Sequence, residues 1–246
     1  MILRESILQF LADRIRDLQD RNHYTRDELC TPEFLLETDG NLRMYYAPFD
    51  TINPGARVAI VGITPGWTQM EIGIRVVHQG LRAGMHREDA YRKAKEQASF
   101  AGAMREHLVN MLDRLGLAAL LQIDSSDDLF GPRQALLHTT STFRYPVFNA
   151  DNNYTGSLPP PRRPAMLMQM ARDALGPELA QIPGAVIVPL GRSVDDVLQM
   201  LEAEGRIMPG RRLVGFPHPS GANGHRAQHF AQRESELRDT LESVLG

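Results

Sequence analysis

The spacing of hydrophobic positions changes several times along the chain, and each change marks an element. Over residues 3–20, Ile7, Leu8, Leu11, Ile15 and Leu18 recur on one helical stripe, which predicts an amphipathic helix packed on the body of the domain. A loop-rich stretch follows through "YYAPFDTINPG". The run "RVAIVGI" (57–63) is short, apolar and β-branched and stops at "TPG", the pattern of a strand buried on both faces. Residues 69–97 read as helix with a break near Gly80 and Gly84. "FAGAMREHLVNMLDRLGL" (100–117) reads as a second helix ending near Gly116.

A second strand is predicted at "QALLHTTSTF" (134–143), where β-branched threonines follow "GP". Residues 146–164 then form a long irregular stretch with five prolines, of the kind that is usually functional or disordered. Helix 165–175 leads to strand "AVIVPLG" (185–191), helix 193–205, strand "RLVGF" (212–216) and a last helix over about 224–244. Helices alternate with short apolar strands, so the expected class is α/β: a three-layer α/β/α sandwich around a central, mainly parallel four-stranded sheet. The expected organisation is a single domain over 1–246 with an N-terminal helical extension over 1–50.

Composition fits that picture. With 246 residues, 42% hydrophobic and 23% charged, the chain is long enough for one domain with a large core. Cys30 is its single cysteine, which excludes an intramolecular disulfide framework and a four-cysteine metal or iron–sulfur site. A reducing cytoplasm is the expected compartment. "MILRESILQFLADRIRDLQD" is interrupted by charge every few positions and reads as neither a signal peptide nor a membrane span. A net charge of −3 gives no global preference for nucleic acid, so DNA binding would have to rest on local patches. Two are present, "PPPRRP" (159–164) and the tract from Arg211 to Arg226.

In open parallel sheets, ligands bind beyond the carboxyl ends of the strands. The segments in question are therefore "TPGW", "HTTST", "GRS" and "PHPSGANGH". In "GITPGW", Gly62 and Gly66 allow close backbone approach and Pro65 fixes the turn, so its N–H groups can face a polar group or an activated water. It lacks the Lys-Ser/Thr of a phosphate loop and the GxGxxG of a dinucleotide site. His218 follows an apolar run and lies between Pro217 and Pro219, which restrict its backbone. An imidazole held in this way can donate a hydrogen bond to charge developing on a leaving group.

GxxPG after the first strand and HPS after the last resemble the two signature motifs of the uracil-DNA glycosylase superfamily. "ASFAGAMREHLVNMLDRLGL" (98–117) is similar to the Pro-Phe-x-Gly segment and following helix of its bacterial iron–sulfur members. "TTSTFRYPV" (139–147) is similar to their Thr-Asn-Ala-Val-Lys-His-Phe-Lys strand, and "VIVPLGRSVDDVLQML" to their V-V-x-L-G strand and helix. The resemblance runs in order from about residue 57 onward. It implies a uracil-DNA glycosylase-like fold and a monofunctional DNA glycosylase, which flips a nucleotide out of the duplex at a cost of a few kcal/mol and hydrolyses the N-glycosidic bond.

By that resemblance, His218 stabilises the departing base, Phe100 stacks on it, and the Gly62, Ile63, Thr64, Pro65 and Gly66 loop places the attacking water. Ser220, Gly221, Ala222, Asn223 and Arg226 form the loop that meets DNA. The chain departs from the family at three points. The water-activating carboxylate or asparagine is replaced by Ile63 and Thr64, leaving Thr64, Gln69 and Glu71 as candidates. His138 or Thr139 stands near the uracil-reading asparagine, with Ser141 on the same strand. The cluster cysteines are missing, so neither metal nor other cofactor is implied.

The enlarged segment that begins at Trp67 and the loop "YPVFNADNNYTGSLPPPRRP" are expected to build a roomier, more polar pocket than uracil needs, with Asn153 and Tyr154 suited to sugar hydroxyls. This points to a bulky modified base, such as a glycosylated hydroxymethylcytosine of viral DNA, and to repair or anti-phage defence. Two other classes stay open, a non-catalytic DNA-binding module on the same fold and a nucleoside or nucleotide hydrolase. The expected partner is DNA, engaged by a monomer and without a membrane.

Overall fold

A computed structural model describes residues 3–99, 103–221 and 223–246. In chain order, α1 (Glu5–Arg16) and α2 (Arg26–Leu29) precede a hairpin of β1 (Leu35–Asp39) and β2 (Leu42–Tyr45). β3 (Val58–Gly62) leads into α3 (Trp67–Arg82), α4 (Arg87–Ala98), α5 (Ala103–Arg114) and α6 (Leu117–Leu121). β4 (Leu137–Ser141), β5 (Val147–Asn149) and β6 (Asn152–Asn153) follow. Then come α7 (Ala165–Met170), one π-helical turn, α8 (Gly176–Ala180), β7 (Val186–Pro189), α9 (Arg192–Ala203) and α10 (Arg226–Leu245).

The chain divides into two compact units, each assembled from three separate segments. Unit 1 comprises 1–51, 64–99 and 143–174, and unit 2 comprises 52–63, 100–142 and 175–246. The boundary expected near residue 50 is thus only the first of five crossings.

Unit 1 holds an antiparallel sheet in the order β1-β2-β5-β6, with Leu42 opposite Asn149 and Met44 opposite Val147. The helical reading of 1–50 therefore needs correction: it holds for α1 and α2 only. "LLETDGNLRMY" folds back at an Asp-Gly turn into paired strands, since Met44 and Tyr45 bury on β2 while Arg43 faces outward. Likewise, residues 147–153 of the expected irregular stretch extend this sheet. α1 buries Leu11, Ala12 and Ile15, and α3 buries Met70, Ile74 and Val77 at helical spacing. His78 on α3 donates from Nδ1 to the Ile15 carbonyl at 2.9 Å, which ties the two helices.

Unit 2 is built on a parallel sheet in the order β4-β3-β7, with Val58 paired to both Leu137 and Val186. The two-residue period of β3 sends alternate side chains to opposite faces. Val58 and Ile60 pack with Leu108 and Leu112 of α5 and Leu237 and Leu241 of α10. Ala59 and Val61 pack with Leu179 of α8 and Leu198 and Leu201 of α9. Helices thus cover both faces, as the apolar run at 58–63 predicts.

The segment read as a fourth strand, 212–216, makes one isolated parallel bridge, between Arg212 and Ile187. Two backbone bonds hold it there, Ile187 N to Arg211 O and Leu213 N to Ile187 O. Gly215, at φ +76°, then turns the chain away before it can pair further. Among the described residues, no helix is long and apolar enough to cross a membrane.

Candidate functional site

In unit 2, the carboxyl ends of the three parallel strands share one edge, and His218 sits at it. Leu190 N donates to Val61 O, so the turn after β7 lies against the end of β3, and Gly191 N reaches the Phe216 carbonyl. Gly191, at φ +90°, is packed so closely on His218 that a Cβ there would lie 3.0 Å from the His218 Cβ.

The imidazole is fixed electronically as well as sterically. Ser220 N donates to its Nδ1 at 3.1 Å, so the neutral ring carries its proton on Nε2. Burial holds its pKa below the ordinary 6.5, which keeps the ring neutral. Nε2 has no hydrogen-bond partner among the described residues. The group at the sheet edge is thus a neutral N–H donor.

The rest of the 217–226 loop is held by side chains. Asn223 Nδ2 donates to the His218 carbonyl (3.2 Å), and His107 Nδ1 to the Pro219 carbonyl (3.0 Å). Arg226 Nη1 binds the carbonyls of Pro219 and Ser220 at 3.2 and 2.7 Å. The roles of Asn223 and Arg226 seen here are to brace this loop, while Gly221 is exposed at its turn. Arg212 is buried between Asp195 and Glu202 and adds no surface charge. Phe100 and Ala222 lie outside the described residues.

Of the first motif, Gly62 and Ile63 belong to unit 2. Gly62 O accepts from Thr142 N (2.7 Å) and Oγ1 (3.0 Å), and Ile63 packs beneath Ala59 and Val61. On β4, Ser141 ends the strand opposite Gly62, and Thr139 lies mid-strand opposite Ile60. His138 is corrected outright. It is paired with Ala59 near the start of the strands, where Nε2 bonds Glu178 Oε1 at 2.7 Å and Nδ1 accepts from Asn53 N at 3.4 Å. Buried on all sides, it cannot read a base.

The other half of the motif belongs to unit 1. Thr64 Oγ1 donates to Tyr145 O (2.9 Å) and accepts from Val147 N (3.0 Å), splicing the turn onto β5. Pro65 is buried, and the N-terminus of α3 begins at Gly66. Gln69 Oε1 accepts the Gly66 N–H at 2.9 Å while its Nε2 donates to Ala98 O. Glu71 binds Arg75 Nε at 2.8 Å and Tyr24 N at 3.3 Å. The water-activating role expected of Thr64, Gln69 or Glu71 therefore finds each already engaged in structural bonds.

Asn153 and Tyr154 are likewise held in structural bonds. Asn153 Oδ1 accepts Trp67 N at 2.9 Å and Arg26 Nη2 at 3.5 Å, capping α3. The Arg26 guanidinium stacks 5.2 Å from the Trp67 ring and 4.6 Å from that of Phe148. Tyr154 is buried, donates to Pro159 O at 2.6 Å, and has its pKa pushed up to about 12 by burial.

Unit 1 also contains a polar centre that the sequence reading passed over. Asp50, whose side chain is 15% exposed, accepts the Tyr145 hydroxyl at 2.5 Å on Oδ1 and lies 3.2 Å from the Tyr46 hydroxyl on Oδ2. Tyr46 is in turn 3.0 Å from the Tyr91 hydroxyl, and Arg144 Nη1 is 3.8 Å from Asp50. Burial raises the Asp50 pKa against the opposing pull of Tyr145 and Arg144, and raises all three tyrosines. Such a carboxyl is suited to proton uptake.

Asp50 also carries a stability prediction. Its proton is held more tightly in the native than in the unfolded chain, so stability falls as pH rises from the ordinary 3.8 through the raised native value. Asp50→Asn is therefore expected to raise the thermal midpoint at neutral pH, with the gap closing in acid. Denaturation of both proteins across that range checks this, and a destabilised variant at neutral pH contradicts it.

Among the described residues, no group of His, Cys, Asp and Glu is arranged to hold a metal ion. Comparison with known proteins gives no matching family model and no matching solved structure. Over 245 residues, 99% of this chain and 95% of the relative, the sequence is 36% identical to the uncharacterized protein YoxB of Bacillus subtilis (strain 168).

Proposed function

The chain belongs to the family of Bacillus subtilis YoxB, and for it we propose a base-releasing reaction on DNA, the hydrolysis of an N-glycosidic bond to a modified base. The observation that carries this reading is His218, a neutral imidazole locked at the ligand-binding edge of a parallel sheet with its Nε2–H unengaged. As the glycosidic electron pair leaves with the base, that N–H donates a hydrogen bond to the charge developing there. Water supplies the hydroxyl to the sugar C1′, and its proton balances the departing base.

The surroundings favour an anionic polymer. From Gly205 to Arg233 there is no Asp or Glu, and His218, His225, Arg226 and His229 all fall within that span. The bridge at 211–213 beside β7 supports a fourth-strand position, and so a uracil-DNA glycosylase-like sandwich. No asparagine stands at the uracil-reading position, which favours a base other than uracil. We propose a bulky modified cytosine of the kind found in viral DNA, with defence as the biological role.

The test is mass spectrometry of free bases after incubation with DNA carrying uracil, hypoxanthine or glucosylated hydroxymethylcytosine. Release of one base supports the proposal, and silence across the panel overturns it. A second reading, a DNA-binding module without catalysis, is favoured by the engagement of Thr64, Gln69 and Glu71. It predicts salt-dependent DNA binding with no base released.

Gly191 offers an independent check. Gly191→Ala places a methyl group against His218 on backbone at φ +90°. Base release is expected to fall about a hundredfold through misplacement of the ring, with the fold retained by circular dichroism.

A further inference from the structure

The two peptide groups that follow His218 differ in kind. The first, His218–Pro219, has no N–H, because proline lacks one, and its carbonyl accepts from Asn223 Nδ2 at 3.2 Å. The second, Pro219–Ser220, supplies the N–H that reaches the ring, with Ser220 N 3.1 Å from Nδ1. A trans peptide is planar, and its N–H and C=O point in opposite directions. Whatever fixes the Pro219 carbonyl therefore also aims the Ser220 N–H.

That carbonyl is held from two helices of unit 2. His107 on α5 donates to it from Nδ1 at 3.0 Å, and Arg226 at the start of α10 donates from Nη1 at 3.2 Å. Arg226 Nη1 also reaches the Ser220 carbonyl at 2.7 Å, onto which Asn223 N closes a turn at 3.1 Å. Both side chains are half-buried, and the helices that carry them are packed together. Leu108 and Leu112 of α5 share a core with Phe230, Leu237 and Leu241 of α10. The Arg114 guanidinium lies 4.9 Å from the Phe230 ring, and Arg238 Nη2 donates to Arg114 O at 2.8 Å. The grip on the peptide thus comes from rigid elements, which position a group more closely than a loop does.

We propose that His107 and Arg226 are positioning residues that set the tautomer of His218 through the single peptide group Pro219–Ser220. With the carbonyl gripped, the Ser220 N–H faces Nδ1, Nδ1 is the acceptor, and Nε2 keeps the proton that it can donate. Without the grip, the peptide is able to turn over. Proline fixes its own φ and leaves ψ free, so the turn needs only ψ of Pro219 and φ of Ser220 to change. A carbonyl facing the ring draws the proton to Nδ1, and Nε2 becomes an acceptor that repels the negative charge of a departing base. The chemistry of the ring is decided by two side chains bonded to a neighbouring peptide.

The use of this device in catalysis rests on the base-releasing reading, whereas the tautomer itself is measured without substrate. Long-range proton–nitrogen NMR spectra of the histidine-labelled full chain, recorded well above pH 6.5 where the ring is neutral, report which nitrogen carries the proton. The His218 signals are those missing from His218→Ala. Wild type is expected to show a bare Nδ1 and a protonated Nε2. His107→Leu and Arg226→Leu are each expected to populate the Nδ1–H form, and the double variant to shift most of the ring to it. His107→Gln and Arg226→Lys keep an N–H for the Pro219 carbonyl and are expected to retain the wild-type tautomer. A ring that stays Nε2–H in every folded leucine variant overturns the proposal, and the single variants decide by that criterion if the double one does not fold. With a base that wild type releases, the double variant is expected to lose about tenfold or more in kcat at little change in KM. A wild-type rate from a shifted tautomer overturns the positioning role. If wild type releases no base, the glycosylase reading fails by itself, and the spectra still decide how the tautomer is set.

Discussion

His218→Ala is expected to reduce base release about a hundredfold to a thousandfold while leaving DNA affinity close to wild type. One preorganised donor to a developing anion is worth about 3–4 kcal/mol, and this one has the features that magnitude requires. Ser220 N orients the ring and fixes the tautomer, the Gly191 backbone forms the wall behind it, and burial keeps it neutral. The pH profile gives a second signature. Protonation puts a hydrogen on Nδ1 and breaks the bond from Ser220, and the lowered pKa places this below 6.5. Activity should therefore hold as pH falls to 6.5 and decline only in more acid solution. Single-turnover base release checks both. A variant that loses affinity in proportion to rate would make His218 a binding residue only.

The largest effect on stability is expected at His138 and Glu178, whose side chains are each 1% exposed. Glu178→Ala should destabilise unit 2 by about 3–5 kcal/mol, because it removes the carboxylate bonded to the imidazole Nε2 in a buried site. His138→Leu alone should cost a similar amount, since the buried carboxylate then loses the imidazole N–H that it accepts. The double replacement by leucines should recover most of the loss, because two well-packed apolar side chains remove both desolvation penalties. Urea denaturation of the four proteins forms the cycle. If His138→Leu were fully stable but inactive, it would belong to the chemistry instead of the scaffold.

What could be read in advance follows from how local each signal is. β3 and β7 were legible because strands buried on both faces are short apolar runs rich in Val and Ile, whatever they pair with, and β4 through its β-branched threonines. The break between α3 and α4 was legible in Gly80 and Gly84. The sheet of unit 1 was not, because β5 and β6 are too short to show a period and gain their structure from β2, about a hundred residues earlier.

The site divides in the same way. His218 announced itself through its flanking prolines. Thr64, Gln69, Glu71, His138, Asn153 and Tyr154 read as candidates for water or substrate, because a sequence lists donors and acceptors without saying which ones meet. Asp50 was missed because its burial, and the Tyr145 hydroxyl it accepts from 95 positions away, arise only in the fold.

The five crossings between units have a consequence for how the molecule is made. A ribosome has delivered every segment of unit 1 once Ala174 emerges, whereas unit 2 still waits for α8, β7, α9 and α10. β3 is synthesised early, yet Val186, the partner of Val58, comes only after unit 1 is complete. Its apolar run is thus among the first core pieces produced and the last to be covered. The nascent chain passes through a stage in which one unit is able to close while the other still exposes the middle strand of its sheet.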